Sequence, residues 1–209
     1  MTNKPIILAI CGKSASGKDT LAKSLSASIS PYYRTNLIIS DTTRPKRNGE
    51  QNGVDYNFLS ERTFLQNIQD NKYFEYTVFR KWYYGTNRNS VSDDAVNIGV
   101  FNVAGLEHMI YLQYWYNIIP IYLDLNLEER LKRSYQRENK FKLEFLRRAL
   151  VDEKDFKDIG VLLSKYNYSL TFPLSDGGWT VSMEDIVVRE WLTRHRILEL
   201  PGQKWINLI

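Results

Sequence analysis

Gly12-Lys13-Ser14-Ala15-Ser16-Gly17-Lys18-Asp19-Thr20, entered directly from the apolar run Ile6-Ile7-Leu8-Ala9-Ile10, leaves this chain few folds to choose from. A buried-type strand, a glycine-rich turn, a lysine, and an amphipathic stretch with Leu21, Leu25 and Ile29 at helical spacing describe a strand–loop–helix unit. Its glycines let successive backbone N–H groups point inward, as a phosphate-binding loop requires, and Lys18 adds a point charge at the β/γ-phosphates. The helix that starts near Asp19 aims the positive end of its dipole at the same place. A glycine-rich turn without a ligand is the plainer alternative, but strand, loop, lysine and helix in this order favour phosphate binding. One position departs from the pattern: a Ser or Thr is expected after the lysine to ligate Mg²⁺, and here Asp19 precedes Thr20. A carboxylate is also a hard-oxygen ligand, which makes Asp19 a candidate for the metal, and the choice between Asp19 and Thr20 is open.

With 209 residues the chain fits one domain and can bury a core without disulfides. A net charge of +4 is too mild to imply a nucleic acid polymer as partner, although it suits a cleft for anionic nucleotides. The single cysteine, Cys11, excludes a disulfide framework and reads as a buried, inert thiol at the end of the first strand. The early apolar run is too short for a signal sequence or a membrane span, so the expectation is a cytoplasmic, soluble protein.

Further along, no repeat or low-complexity linker divides the chain. Asn36–Ile39 reads as a short strand, followed by a polar, basic stretch from Ser40 to Phe58. Ser60 offers a helix cap before the stripe Phe64, Leu65 and Ile68, and Tyr73–Phe79 and Trp82–Thr86 read as paired strands. Ile98–Asn102, Ala104–Tyr116 and Ile118–Leu123 follow as strand, helix and strand. Asn126 and Glu129 form a capping pair for a helix to about Gln136, and the charged run Arg137–Asp158 has the look of a solvated helical face. A last strand over Tyr166–Phe172 and a last helix over Ser182–Ile197 complete the reading. Alternation of strands and helices implies an α/β fold with a parallel sheet flanked by helices.

Ser40-x-Thr42-Thr43-Arg44-x-x-Arg47-x-Gly49-Glu50-x-x-Gly53-Val54-Asp55-Tyr56-x-Phe58, then Phe74-Glu75, then Tyr83-Tyr84-Gly85-Thr86, taken with the loop at Gly12–Thr20, resembles the guanylate kinase family. The resemblance is good over roughly the first ninety residues, fair through the lid and faint after Asp158. It implies a P-loop NTPase fold whose core spans 1–39, 95–128 and 159–209, with a small mixed nucleoside-monophosphate-binding subdomain over 40–94 and a helical lid over about 129–158. It further implies ATP-dependent phosphorylation of GMP or dGMP with Mg²⁺ as cofactor.

By the same resemblance Arg44, Arg47, Tyr56 and Tyr84 hold the acceptor phosphate, and Ser40, Glu75 and Thr86 read the base. Guanine's adjacent N1–H and amino donors match one carboxylate, whereas adenine would meet Glu75 with an acceptor. Lys18 and the lid arginines Arg147, Arg148 and Arg137 would stabilise the transferred group. Arg130 and Arg133, on the preceding helix, fit the lid pattern less well. Two departures stand out. Val100 and Asn102 occupy positions where the family carries aspartates; Asn102 retains a carbonyl oxygen for the base, while Val100 offers nothing to metal or phosphate. A broader deoxynucleoside monophosphate kinase and a non-catalytic interaction module are the alternative readings. A monomer or homodimer without membrane contact is expected.

Overall fold

The computed structural model describes residues 4–47, 49–79, 81–138, 143–174 and 181–199. Its centre is a parallel sheet of five strands in the order β2-β7-β1-β8-β9. These are β1 (Ile6–Gly12), β2 (Thr35–Leu37), β7 (Val96–Val100), β8 (Asn117–Leu125) and β9 (Leu170–Leu174). β1 lies in the middle, which explains why it is apolar on both faces. Leu8 and Ile10 pack with Leu21, Leu25 and Ile29 of α1 (Lys18–Ile29) and with Val188 and Leu192 of α7 (Val181–Arg194). Ile7, Ala9 and Cys11 point the other way, onto Leu106 and Met109 of α3 (Val103–Met109) and Ile159, Leu162 and Leu163 of α6 (Ile159–Leu163). Alternation along the strand therefore feeds two cores, as in a sheet covered by helices on both sides.

A second sheet has the order β4-β3-β6-β5, formed by β3 (Asp41–Thr42), β4 (Asn57–Phe58), β5 (Tyr73–Phe79) and β6 (Trp82–Asn87). β3 runs parallel to β4 and antiparallel to β6, so the sheet is mixed. α2 (Glu61–Gln69) covers it; the Ser60 hydroxyl accepts the Thr63 N–H at 3.1 Å as the cap. Phe64 is the anchor, stacked on Tyr73 with ring centroids 4.5 Å apart and tilted against Tyr83 at 5.3 Å. α4 (Leu127–Glu138) and α5 (Leu143–Asp155) follow β8.

Boundaries differ from the expected ones where local chemistry intervenes. The second strand is shifted to Thr35–Leu37. The helix expected to reach Tyr116 is α-helical only to Met109 and continues as a 3₁₀ turn over Ile110–Tyr114, tightened by the Trp115 N–H bond to the Leu112 carbonyl at 2.9 Å. A run of branched and aromatic residues favours the helix weakly there, and the chain has only to reach β8. Tyr166 is not in the last strand: its hydroxyl donates to the Leu106 carbonyl, which ties it to α3, and β9 begins at Leu170. α7 stops at Arg194 because Arg196 takes a left-handed φ of 53° and the Ile197 N–H turns back to the Leu192 carbonyl. Among the described residues no helix is long and apolar enough to cross a membrane.

Candidate active site

β1 delivers Gly12 into the loop, and the turn tolerates no side chain there. A Cβ on Gly12 would lie 2.9 Å from the Leu123 carbonyl oxygen, a backbone atom that cannot yield. Gly17 caps α1 at φ 99°, a conformation L-residues rarely adopt, and Ala15 at the loop tip is held at φ 64°. Lys18 donates to the Lys13 carbonyl at 3.0 Å. Burial pulls its pKa below the usual lysine range, against the opposing pull of Asp19 and Asp152. The Ser16 hydroxyl is buried and has no hydrogen-bond partner among the described residues, an orphaned polar group that a phosphate oxygen would satisfy.

From the far side α4 and α5 grip this loop. The Ser14 N–H donates to Asp152 Oδ2 at 2.6 Å, and Lys13 pairs with Glu153 at 2.6 Å. Arg130 is fully buried: it donates to the Leu125 carbonyl at 3.2 Å and to Glu153 Oε1 at 2.8 Å, with Asp152 at 3.5 Å. Arg133 donates to the Ser16 carbonyl at 2.9 Å. Sequence reasoning set Arg130 and Arg133 below the later arginines and took the acidic residues of α5 for a solvated face. Single-sequence charge patterning carries no signal for a carboxylate that folds back onto a loop more than a hundred residues away.

The acceptor-phosphate candidates gather in the second sheet. Arg44 is buried, and its fork meets Glu50 through two bonds, Nη1 to Oε2 at 3.0 Å and Nη2 to Oε1 at 2.8 Å. Burial alone would raise the Glu50 carboxyl, but these bonds and the Arg47 N–H at 2.7 Å hold it below the usual range. The Arg44 guanidinium lies over Tyr56, 5.4 Å from the ring centroid, and Tyr56 meets Tyr84 edge-on at 6.1 Å. Burial pushes the Tyr56 phenol up to about 12, with the Asp19 carboxylate as the next contributor, which links this cluster to the phosphate loop. Arg47 is exposed, and its pKa is lowered by partial burial and then by the nearby Arg148 of α5. Arg148 is thus near enough to Arg47 to act on it electrostatically. Arg147 is exposed, and the side chain of Arg137 lies outside the described residues.

Glu75 is buried on β5, where Oε1 accepts the Thr86 hydroxyl at 2.7 Å. Burial raises its pKa, with Thr86 and His108 opposing. Asn102 caps α3, its Oδ1 accepting the Gly105 N–H at 2.7 Å. Ser40 precedes β3, its carbonyl accepting the Asn57 N–H at 3.0 Å. Beneath these residues Asp41, which the sequence pattern did not single out, is buried and fully engaged: Asn57 donates to Oδ1 and the Tyr73 hydroxyl to Oδ2, each at 2.9 Å. Asp19 and Thr20 are both exposed in the first turn of α1. Their carboxylate and hydroxyl oxygens are the hard donors that Mg²⁺ accepts.

Comparison with known proteins gives the family and the fold. The family model described as guanylate kinase matches residues 2–152. The chain is 33% identical over 135 residues to the guanylate kinase of Helicobacter pylori (strain J99 / ATCC 700824), covering 63% of this chain and 64% of that protein. It is 29% identical over 166 residues to that of Mycoplasma genitalium (strain ATCC 33530 / DSM 19775 / NCTC 10195 / G37), covering 76% and 67%. The match thus spans less than two thirds of the Helicobacter relative. In fold, the chain is similar to the crystal structure of guanylate kinase from Anaplasma phagocytophilum, with a TM-score of 0.60, 17% identity, and 94% of this chain and 89% of that one covered.

Proposed function

The chain belongs to the guanylate kinase family, and from that premise we propose that it transfers the γ-phosphoryl group of ATP to GMP or dGMP. What carries this reading is the buried Ser16 hydroxyl at the phosphate loop, without a partner among the described residues, beside a cluster in which the Arg44 guanidinium lies over Tyr56 and Tyr56 meets Tyr84 edge-on. The nucleoside-monophosphate subdomain over 40–94, the lid over about 129–158 and the core between them are its working parts on this reading.

The loop Gly12–Thr20 holds the ATP phosphates through its N–H groups and the Ser16 hydroxyl, and Lys18 carries charge for the β/γ oxygens. Arg44, Arg47, Tyr56 and Tyr84 hold the acceptor phosphate. An oxygen of that phosphate, already anionic at neutral pH, attacks the γ-phosphorus while the bond to the β–γ bridging oxygen breaks, and ADP leaves; no general base is needed. Arg148, with Arg137 and Arg147 as the other lid candidates, neutralises charge on the moving group. Arg133 holds the loop from outside, so it acts as a positioning residue. Asp19 or Thr20 would hold Mg²⁺, which when bound would supply charge neutralisation to the ATP phosphates. Ser40, Glu75, Thr86 and Asn102 line the base. A buried, single thiol fits a reducing, cytoplasmic setting.

The test is ATP consumption over GMP, dGMP, dAMP, dCMP and dTMP. Turnover with the guanine nucleotides supports the reading; none with any acceptor sinks it. Asp19→Ser should weaken turnover most at limiting Mg²⁺, and an unchanged Mg²⁺ dependence would remove Asp19 as ligand.

A further inference from the structure

Beside Glu75, the edge that meets the acceptor base offers a donor where guanine also carries one. Glu75 Oε1 already accepts the Thr86 hydroxyl. Oε2 faces α3: a Cβ placed on Gly105 would lie 3.1 Å from it and 3.3 Å from Asn102 Oδ1, so the two side chains meet over one glycine. Asn102 Oδ1 is committed to the Gly105 N–H as the helix cap. That bond fixes the amide's orientation, because only the carbonyl oxygen can meet an N–H donor. What Asn102 has left is its Nδ2 amino group, which makes no hydrogen bond among the described residues.

We propose that Asn102 turns this pocket into a reader of 6-oxopurines in general, so that the monophosphates of hypoxanthine and xanthine, IMP and XMP, are acceptors beside GMP. The inference rests on the kinase reading of this site. All these bases present an N1–H beside a C6 carbonyl, and that N–H is what the Glu75 carboxylate accepts. They differ at C2. With C2 toward α3, the guanine amino group meets the Asn102 donor and must share Glu75 with N1–H. Hypoxanthine has only hydrogen there and loses nothing, while the xanthine carbonyl accepts from Nδ2. Adenine, an acceptor at N1, stays excluded by the buried carboxylate. A carboxylate at this position would cap α3 equally well. It would also accept from the guanine amino group and repel the xanthine carbonyl.

The experiment compares wild type and Asn102→Asp with GMP, IMP and XMP, by kcat/KM in the ATP assay and by calorimetric binding. Wild type should use IMP within about tenfold of GMP and turn over XMP; the variant should raise the GMP:IMP ratio by about tenfold or more and lose XMP. Wild-type IMP and XMP both below about one hundredth of GMP would overturn the proposal. So would an unmoved ratio in the variant, or poorer use of GMP by it, which would put the C6 carbonyl on the Asn102 side. Failure of the kinase reading looks different, with no turnover on any of the three, and binding then decides: IMP and XMP within about tenfold of GMP supports the base reading, and binding confined to GMP, or absent for all, overturns it.

Discussion

Glu75 is buried, with Oε1 accepting the Thr86 hydroxyl and Oε2 turned toward Gly105 of α3. Because burial raises its pKa, the unfolded chain releases this proton at a lower pH than the folded one does. Its contribution to stability is therefore complete below the ordinary carboxylate pKa and is lost as pH rises through the folded value. Glu75→Gln should remove that decline, seen as a flatter dependence of melting temperature on pH for the nucleotide-free protein. The same variant should lower kcat/KM for GMP by about 100-fold or more, since the N1–H loses its charged acceptor. As site candidates, Glu75, Arg44, Arg47, Tyr56, Tyr84 and Thr86 are legible in the sequence because their spacing is that of a recognisable motif. Asp41 is not, although it holds Asn57 and Tyr73 in place, because a buried carboxylate between strands leaves no periodic trace.

At the scale of elements, the grip of α4 and α5 on the phosphate loop is the part that only folding reveals. Asp152 occupies the Ser14 backbone N–H, so on the proposed reading an ATP phosphate that uses this N–H displaces it. Asp152→Asn should lower the KM for ATP by about fivefold, through removal of a competing anion. Arg130, buried among the Leu125 carbonyl, Glu153 and Asp152, cannot be replaced by a point charge that lacks a fork. Arg130→Ala should cost about 2 kcal/mol in denaturant unfolding, since it empties a fully buried side-chain volume and removes the fork that ties α5 to the loop. Arg130→Lys should recover only part of the loss. β1 with α1 was read correctly because strand, loop and helix each carry their own local pattern. The 3₁₀ turn at Ile110–Tyr114 and the late start of β9 escaped because tertiary ties, Tyr166 to Leu106 above all, decide them.

For the molecule as a whole, the acceptor candidates of the mixed sheet and the phosphate-loop side of the parallel sheet act on one another electrostatically, Asp19 on Tyr56 and Arg148 of α5 on Arg47. Arg148 and Arg44 both lower the pKa of Arg47, so an anion bound beside these guanidinium groups is favoured electrostatically. GMP should therefore raise the melting temperature more at low than at high ionic strength. Chelation with EDTA should abolish turnover yet leave that GMP-induced shift intact, since the acceptor cluster is made of arginines and phenols. The sheet has one further property. Its central strand carries the only sulfur nucleophile of the chain, Cys11, which is buried and has its pKa pushed up to about 12 by that burial. A thiol reagent can reach it only when the middle of the molecule opens, so each chain contains a stopwatch for its own unfolding. One maleimide per molecule, counted by mass against time, would read how long the nucleotide-free fold survives and by how much bound ATP lengthens that life.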